Sequence, residues 1–369
     1  MTDIRTVEAF PTPNQKMGFL YDWLVTMKCN YDCSYCGPDG PDGDIGGHDN
    51  RMAHPSKEIC LKMLEHGFEY VDAYMENKKP TMRSVTLNIY GGEALYHPDI
   101  EEMMEQTSVL YNKYKDRFSL VRNLTTNATA TQKKWENISE HLEQVTFSWH
   151  SQGPDKLKKN FLLNLAITHK AKKRYDLIIL MYPGRWAECI TMLRYLQNKG
   201  YNARPRILDG KEGVYTEEQL RDMSEMWASD EELVQDIKDS RIHTKGRACC
   251  GGRSMCTDRD YKNPKKFIPR DNFIGWQCSA NQFFLMANCQ SKNFYTNKDC
   301  HVRHDGTRGP IATLDTMAEY VVGLKHTLSS NSNHFLKCVQ KTCLCGSCAP
   351  KSMDKEVLMD IMKIYNAQT

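Results

Sequence analysis

Long apolar runs are missing from this chain of 369 residues: none reaches the roughly 20 residues that a bilayer-crossing helix needs. The opening stretch, MTDIRTVEAFPTPNQ, lacks the basic start and apolar core of a secretory signal. A surplus of one charge is also lacking. Lys and Arg number 49 against 46 Asp and Glu, a net +3, too little to favour nucleic acid or an anionic membrane surface as a partner. No internal repeat stands out beyond an alternation of strands and helices. These absences predict a soluble cytoplasmic protein with no membrane contact, and they count against a nucleic-acid partner. The apolar fraction, 40%, is ordinary, and the length allows one large domain and a smaller one.

Cysteine is abundant, at 15 residues. Intracellular thiols stay reduced, so clustered cysteines point to metal or redox chemistry rather than to a disulfide framework. Cys60 and Cys189 stand alone in helical patterns and read as small buried apolar residues. The remainder gather at the two ends of the chain.

Between residues 18 and 210 short apolar runs alternate with amphipathic stretches. LYDWLVTM, SVTLNIY, RFSLVRNLTTNAT, VTFSWHS, YDLIILMYP and ARPRILD read as strands, and the first five are each followed by a helical pattern. Ser56 reads as the cap of the first helix. Repeated βα units require right-handed crossovers and a parallel sheet. Six strands are fewer than the eight of a closed barrel, so the expected fold is α/β, a partial (β/α)6 barrel over 18–210. An N-terminal extension (1–17) precedes it. A charged helical connector (211–247), a cysteine-rich auxiliary domain (248–350) and a C-terminal helix (351–369) follow. In such sheets ligands collect at the carboxyl ends of the strands, where Cys29 to Cys36, Gly91 to Glu93, Asn127, Ser148 and Met181 are expected.

The triplet Cys29, Cys33 and Cys36, in KCNYDCSYCG, offers three thiolates where a structural zinc site takes four ligands. It suits a metal centre with one open position, or a zinc site with a distant fourth ligand. Taken alone, Gly91 and Gly92 suit a plain βα turn. Asn127, Ser148 and Met181 suit turn or core roles as well as contact with a cofactor. The Gly/Asp-rich stretch at 37–50 reads as a flexible connection or a lid.

The spacing C-x3-C-x2-C with Tyr35 before the last cysteine, the YGGEA stretch after the second strand and the βα pattern together resemble the radical S-adenosylmethionine enzymes. The resemblance implies that Cys29, Cys33 and Cys36 ligate a [4Fe–4S] cluster whose fourth iron is chelated by S-adenosylmethionine. Reductive cleavage of that sulfonium would then give a 5′-deoxyadenosyl radical that abstracts hydrogen from a substrate. It further implies Tyr35 near the adenine and the Gly91–Glu93 edge at the methionine amino group. Asn127 and Ser148 are expected near the ribose or carboxylate, and Met181 against the adenine. A flavodoxin- or ferredoxin-type protein would supply the electron.

The last third carries Cys249, Cys250, Cys256, Cys278, Cys289, Cys300, Cys338, Cys343, Cys345 and Cys348. It resembles the SPASM and twitch extensions that hold auxiliary clusters. The resemblance implies at least one such cluster, drawing on Cys278, Cys300, Cys338, Cys343, Cys345 and Cys348. Two features depart from the pattern: Tyr295 stands where a glycine is expected five residues before Cys300, and the final run is C-x4-C-x-C-x2-C. A zinc site or unligated thiols are the alternatives. The substrate classes in view are a peptide or protein side chain, a small biosynthetic metabolite, or a nucleotide or nucleic acid; a non-catalytic iron–sulfur or zinc protein is the remaining reading. The winged-helix domain that binds leader peptides in many relatives is expected to be absent.

Overall fold

The computed structural model describes residues 7–8, 18–36, 49–76, 83–208, 215–226, 275–296, 308–329, 335–337 and 351–352, with residues 355, 356, 358, 359 and 362. Its centre is a sheet of nine strands. In chain order the described strands are β1 (Val7–Glu8), β2 (Phe19–Thr26), β3 (Ser84–Gly91), β4 (Ser119–Thr126), β5 (Gln144–Trp149), β6 (Arg174–Met181), β7 (Ala203–Ile207), β8 (Gln277–Cys278), β9 (Phe284–Asn288), β10 (Asn293–Tyr295), β11 (Ala312–Thr313), β12 (Leu336–Lys337) and β13 (Lys351–Ser352). The helices are α1 (Lys57–Glu76), α2 (Ile100–Tyr114), α3 (Gln132–Ser139), α4 (Asp155–Lys170), α5 (Trp186–Asn198), α6 (Glu217–Met226) and α7 (Met317–Ser329). Among the described residues no helix is long and apolar enough to cross a membrane.

Strands β2 to β7 lie parallel and in chain order, each joined to the next by a connection that contains a helix. This is the partial barrel expected from the alternation of apolar runs. Successive side chains of a strand point to opposite faces, and the sequence uses both. Phe19, Tyr21, Trp23 and Val25 of β2, Val85, Leu87 and Ile89 of β3, and Val145 and Phe147 of β5 are buried in the main core with the helices. Helix α1 meets them with Cys60, Met63, Leu64, Phe68, Val71 and Met75, the spacing of an apolar stripe. Its Ser56 hydroxyl accepts from the Ile59 N–H at 3.4 Å. The Tyr21 hydroxyl donates to the Met63 carbonyl at 2.9 Å, and a Cβ on Gly67 would fall 2.1 Å from that hydroxyl oxygen, so only glycine lets the helix sit this close. Cys60 and Cys189 are fully buried, as expected of small apolar residues.

The alternate row faces the other way and is polar at its middle. Asp22, Asn88 and Asn123 lie side by side across β2, β3 and β4. Asn88 donates to Asp22 at 2.9 Å, Asn123 to Asn88 at 2.8 Å, and Thr146 of β5 to Asn123 at 3.1 Å.

Beyond β2 the sheet continues with a strand from the other end of the chain. Strand β9 runs parallel to β2, Leu20 opposite Phe284 and Leu24 opposite Asn288, and β10 and β11 follow antiparallel. The described part of the 248–350 region is thus divided: β9, β10 and β11 extend the barrel sheet, while β8 and β12 join β13 and β1 in a separate four-stranded sheet. Tyr70 of α1 donates to the Asn281 carbonyl at 3.1 Å, and Asn281 donates to the Tyr74 hydroxyl at 3.0 Å, which ties the start of this extension to the barrel.

Candidate functional site

The carboxyl end of β2 runs straight into the cysteine loop, and the end of β3 is pressed against it. The Gly92 N–H donates to the Thr26 carbonyl and the Glu93 N–H to the Lys28 carbonyl, each at 2.8 Å. A Cβ on Gly91 would lie 2.2 Å from the Thr26 carbonyl oxygen, and one on Gly92 2.5 Å from that of Lys28. The two glycines are therefore required by the backbone that delivers Cys29, a contact within the protein itself.

Glu93 is buried, at 2% exposure. Its carboxylate accepts from the Leu95 N–H at 3.0 Å, the Thr126 hydroxyl at 2.8 Å and the Asn127 N–H at 2.6 Å. Burial pushes its pKa up, while these three hydrogen bonds pull it down. Glu93 thus fastens the end of β3 to the end of β4. Of the roughly four lone-pair positions on a carboxylate, three are taken, leaving about one for an incoming ammonium.

Residues 29–36 fold into a compact knot. The Cys29 N–H donates to the Asn50 side chain at 2.9 Å, and Asn50 donates to the Tyr31 carbonyl at 3.3 Å. Tyr31, Cys33 and Tyr35 are buried together, with Cys29, Cys36, Leu157, Leu180, Tyr182 and Leu208 packed around them. None of the three cysteines is in a disulfide. Burial, above all, pushes the Cys33 thiol up to about 12 and Cys29 further; the charge of Glu93 adds to the rise at Cys29, and Cys36 raises both. Such a set resists ionisation until cations compensate it.

Donors are already aimed at the sulfurs: the Tyr31 N–H lies 3.3 Å from Cys29 Sγ, Asn127 Nδ2 3.9 Å from Cys29 Sγ, and His150 Nδ1 3.9 Å from Cys33 Sγ. Two desolvated thiols with nitrogen groups beside them, and Cys36 in the same loop, fit the ligation of an iron–sulfur cluster. Among the described residues no three His, Cys, Asp or Glu side chains are gathered as the ligands of a single metal ion would be; a cluster offers its irons at separate corners and spreads its thiolates wider.

The strand ends place the other expected residues as follows. Asn127 donates to Asn30 at 2.8 Å and accepts from Thr129 at 2.7 Å, inside the hydrogen-bond cage around Cys29. The Ser148 hydroxyl meets His150 Nε2 at 2.9 Å. Tyr35 stacks on His150 with an interplanar angle of 11°. Met181 stands apart: it is fully buried in the main core, on the face of β6 opposite to Leu180, which packs on the cysteine loop. Cys278 is buried in the smaller sheet, away from the triplet, with Phe283, Phe335, Leu336, Leu358 and Met362. Cys300, Cys338, Cys343, Cys345 and Cys348 lie outside the described residues.

Sequence reasoning missed Asn30, Asn50, His150, Gln152 and Gly153. Gln152 grips Ser34 twice, accepting from its N–H at 2.7 Å and donating to its hydroxyl at 3.0 Å. A Cβ on Gly153 would fall 2.4 Å from the Tyr31 ring. Strand parity held a signal: Ser148 faces inward, and His150 follows it by two residues.

No protein-family model matches the chain. A curated protein, the GTP 3′,8-cyclase of Campylobacter fetus subsp. fetus (strain 82-40), is 28% identical over 149 residues, 39% of this chain and 39% of that protein. The chain thus matches well under half the length of that relative. That similarity agrees with the resemblance to the radical S-adenosylmethionine enzymes. The cysteine spacing, the Gly91–Gly92–Glu93 edge and the six parallel strands agree with it too. Among solved structures, native anSMEcpe with bound AdoMet and the Cp18Cys peptide aligns over 84% of this chain and 81% of that chain, at 14% identity and a TM-score of 0.46. Native anSMEcpe with bound AdoMet alone aligns over 84% and 82%, at 13% identity and a TM-score of 0.47. Those two likenesses are too distant to bear on function.

Proposed function

We propose that this protein is a radical S-adenosylmethionine enzyme, which cleaves S-adenosylmethionine reductively and oxidises a peptide or protein side chain or a small biosynthetic metabolite. The observation that carries the reading is the compact loop at the end of β2 that gathers Cys29, Cys33 and Cys36, none of them in a disulfide, around the buried Tyr31 and Tyr35. Bound there, a [4Fe–4S] cluster would supply the electron that breaks the sulfonium and yields a 5′-deoxyadenosyl radical. The chain's own residues do the rest. Cys29, Cys33 and Cys36 hold the iron. Glu93 anchors the strand ends and offers its remaining lone pair to the methionine ammonium, beside the Gly91–Gly92 backbone. Asn127 and Ser148 line the ribose and carboxylate side, and Tyr35 takes the adenine. A flavodoxin- or ferredoxin-type protein delivers the electron.

A second, auxiliary cluster belongs to the same reading. Strand β12 ends at Lys337, next to Cys338 in the sequence, and β13 begins at Lys351, after Cys348; Leu336 and Lys351 both pair with Cys278. The two strands that flank Cys338, Cys343, Cys345 and Cys348 in the sequence therefore lie on either side of the strand that carries Cys278, which supports a common site. Cys300 is the further ligand.

The inward row across β2 to β5 favours an uncharged or cationic substrate group: it offers Asp22, Asn88, Asn123, Thr125 and Thr146 and no Lys or Arg. A nucleotide substrate is the second reading, favoured by the relative that cyclises GTP. Anaerobic reconstitution with iron and sulfide, followed by metal analysis and electron paramagnetic resonance, tests the proposal. A reduced-cluster signal that changes on adding S-adenosylmethionine is expected; zinc in place of iron, or a signal indifferent to S-adenosylmethionine, would overturn it.

A further inference from the structure

The turn after β5, residues 150–153, grips the cysteine loop more closely than any cofactor role carried over from the family requires. His150 Nδ1 lies 3.0 Å from the Tyr35 hydroxyl and 3.9 Å from Cys33 Sγ, and its Nε2 lies 2.9 Å from the Ser148 hydroxyl. The ring is fixed between Tyr35, stacked at 11°, and Tyr31, edge-on at 79°. Gln152 holds Ser34 from both sides, and Gly153 leaves room for Tyr31. A turn that only had to fill space beside Tyr35 could do so with a hydrocarbon. This one presents an imidazole, with a hydroxyl at its far nitrogen.

That hydroxyl, as a donor, can hold the ring in one tautomer. Neutral imidazole has one donor and one acceptor nitrogen. When the Ser148 hydroxyl donates to Nε2, the ring proton resides on Nδ1, the nitrogen that faces Cys33 and Tyr35. An iron-bound thiolate can only accept, and Nδ1–H, 3.9 Å from Cys33 Sγ, is then shared between that sulfur and the Tyr35 hydroxyl at 3.0 Å.

We propose that His150 is a positioning residue of the cluster site, whose Nδ1–H donates to the Cys33 sulfur and makes the cluster easier to reduce. The physical reason is that a donor to a ligand sulfur withdraws charge from it and favours the reduced, more negative cluster. The inference rests on the proposed function, since it needs a cluster on Cys33. His150 would thereby raise the cluster's potential toward that of its electron donor, while Gln152 keeps the loop from moving away from the ring.

The test uses full-length protein, reconstituted anaerobically with iron and sulfide, and three chains: wild type, His150→Phe and His150→Gln. Iron content is measured first. A potentiometric titration then follows the resonance signal that responds to S-adenosylmethionine, which separates this cluster from an auxiliary one. Phe keeps a flat ring and loses the donor; Gln keeps an N–H donor at similar reach. The expected result is wild-type iron in both variants, a midpoint shifted to lower potential in His150→Phe, and a midpoint nearer to wild type in His150→Gln. An unchanged midpoint in His150→Phe overturns the inference. So do equal shifts in both variants, or loss of iron from both, because each describes a residue that only packs. A wild-type protein with no signal responsive to S-adenosylmethionine would instead defeat the proposed function, and this inference with it.

Discussion

Gly92 lies so close to Lys28 that a single added carbon would stand 2.5 Å from the Lys28 carbonyl oxygen. Both partners are backbone, so neither can rotate away. Gly92→Ala is expected to cost about 1–3 kcal/mol, the usual penalty of overpacking, and to lower iron uptake, because the displaced segment leads into Cys29. Gly323→Ala in α7 is the control: nothing lies within 4 Å of the new carbon, and the exchange should stabilise by about 0.5–1 kcal/mol. Urea denaturation of the two variants, with iron analysis, checks both signs.

Glu93→Gln places an amide N–H where the carboxylate now accepts from Leu95, Thr126 and Asn127. At least one of those donors loses its partner inside a buried site, at about 1–3 kcal/mol. The variant is expected to load near-normal iron, to melt earlier, and to bind S-adenosylmethionine about ten- to a hundredfold more weakly, as loss of a hydrogen bond to a charged group implies. Calorimetric titration of the reconstituted protein measures the affinity; an unchanged constant would restrict Glu93 to holding β3 and β4 together.

His54 should make the protein sensitive to mild acid. Its Nδ1 lies 3.0 Å from the Thr26 hydroxyl, which accepts from the Lys28 N–H. Burial, followed by the charges of His97 and Lys28, lowers its pKa to about 4, with Asp99 opposing. The unfolded chain therefore binds a proton near the ordinary value of 6.5 that the folded chain refuses down to about 4. Stability contributed by the neutral ring is present above 6.5 and is lost as the pH falls toward 4. His97 shifts in the opposite direction, so the informative quantity is the difference between wild type and His54→Asn. That variant should lose less stability than wild type on going from neutral pH into this window, read from urea midpoints.

Replacing Cys343, Cys345 and Cys348 together should remove about four irons, the content of one cluster of this kind, and leave the barrel folded, because its described core is built from residues between 19 and 324. Cleavage of S-adenosylmethionine should persist, at least slowly. Full retention of iron, with zinc in the native protein, would make the C-terminal third a zinc domain.

The barrel was legible because each strand carries its own signal. Phe19, Tyr21, Trp23 and Val25 alternate with Leu20, Asp22 and Leu24, and a helical stripe follows. The cysteine triplet was legible because its three residues lie within one loop. The grip of His150 and Gln152 was not, since Cys33 and His150 are 117 positions apart and Ser34 and Gln152 118; only the assembled sheet brings them together. The place of β9 beside β2 was equally hidden, because a strand pairing across some 260 residues leaves no local pattern. For Met181 the difficulty was parity. One position separates it from Leu180, and one position in a strand is the difference between the helix layer and the cysteine loop.

Formation of 5′-deoxyadenosine measures the central claim most directly. Wild-type protein, reconstituted under anaerobic conditions and given S-adenosylmethionine with a chemical reductant, is expected to release 5′-deoxyadenosine and methionine in equal amounts. The variant with Cys29, Cys33 and Cys36 all changed to Ala should release none, while melting close to wild type, since the main core lies elsewhere. Release at the wild-type rate by the triple variant, or none from a wild-type protein fully loaded with iron, would contradict the account.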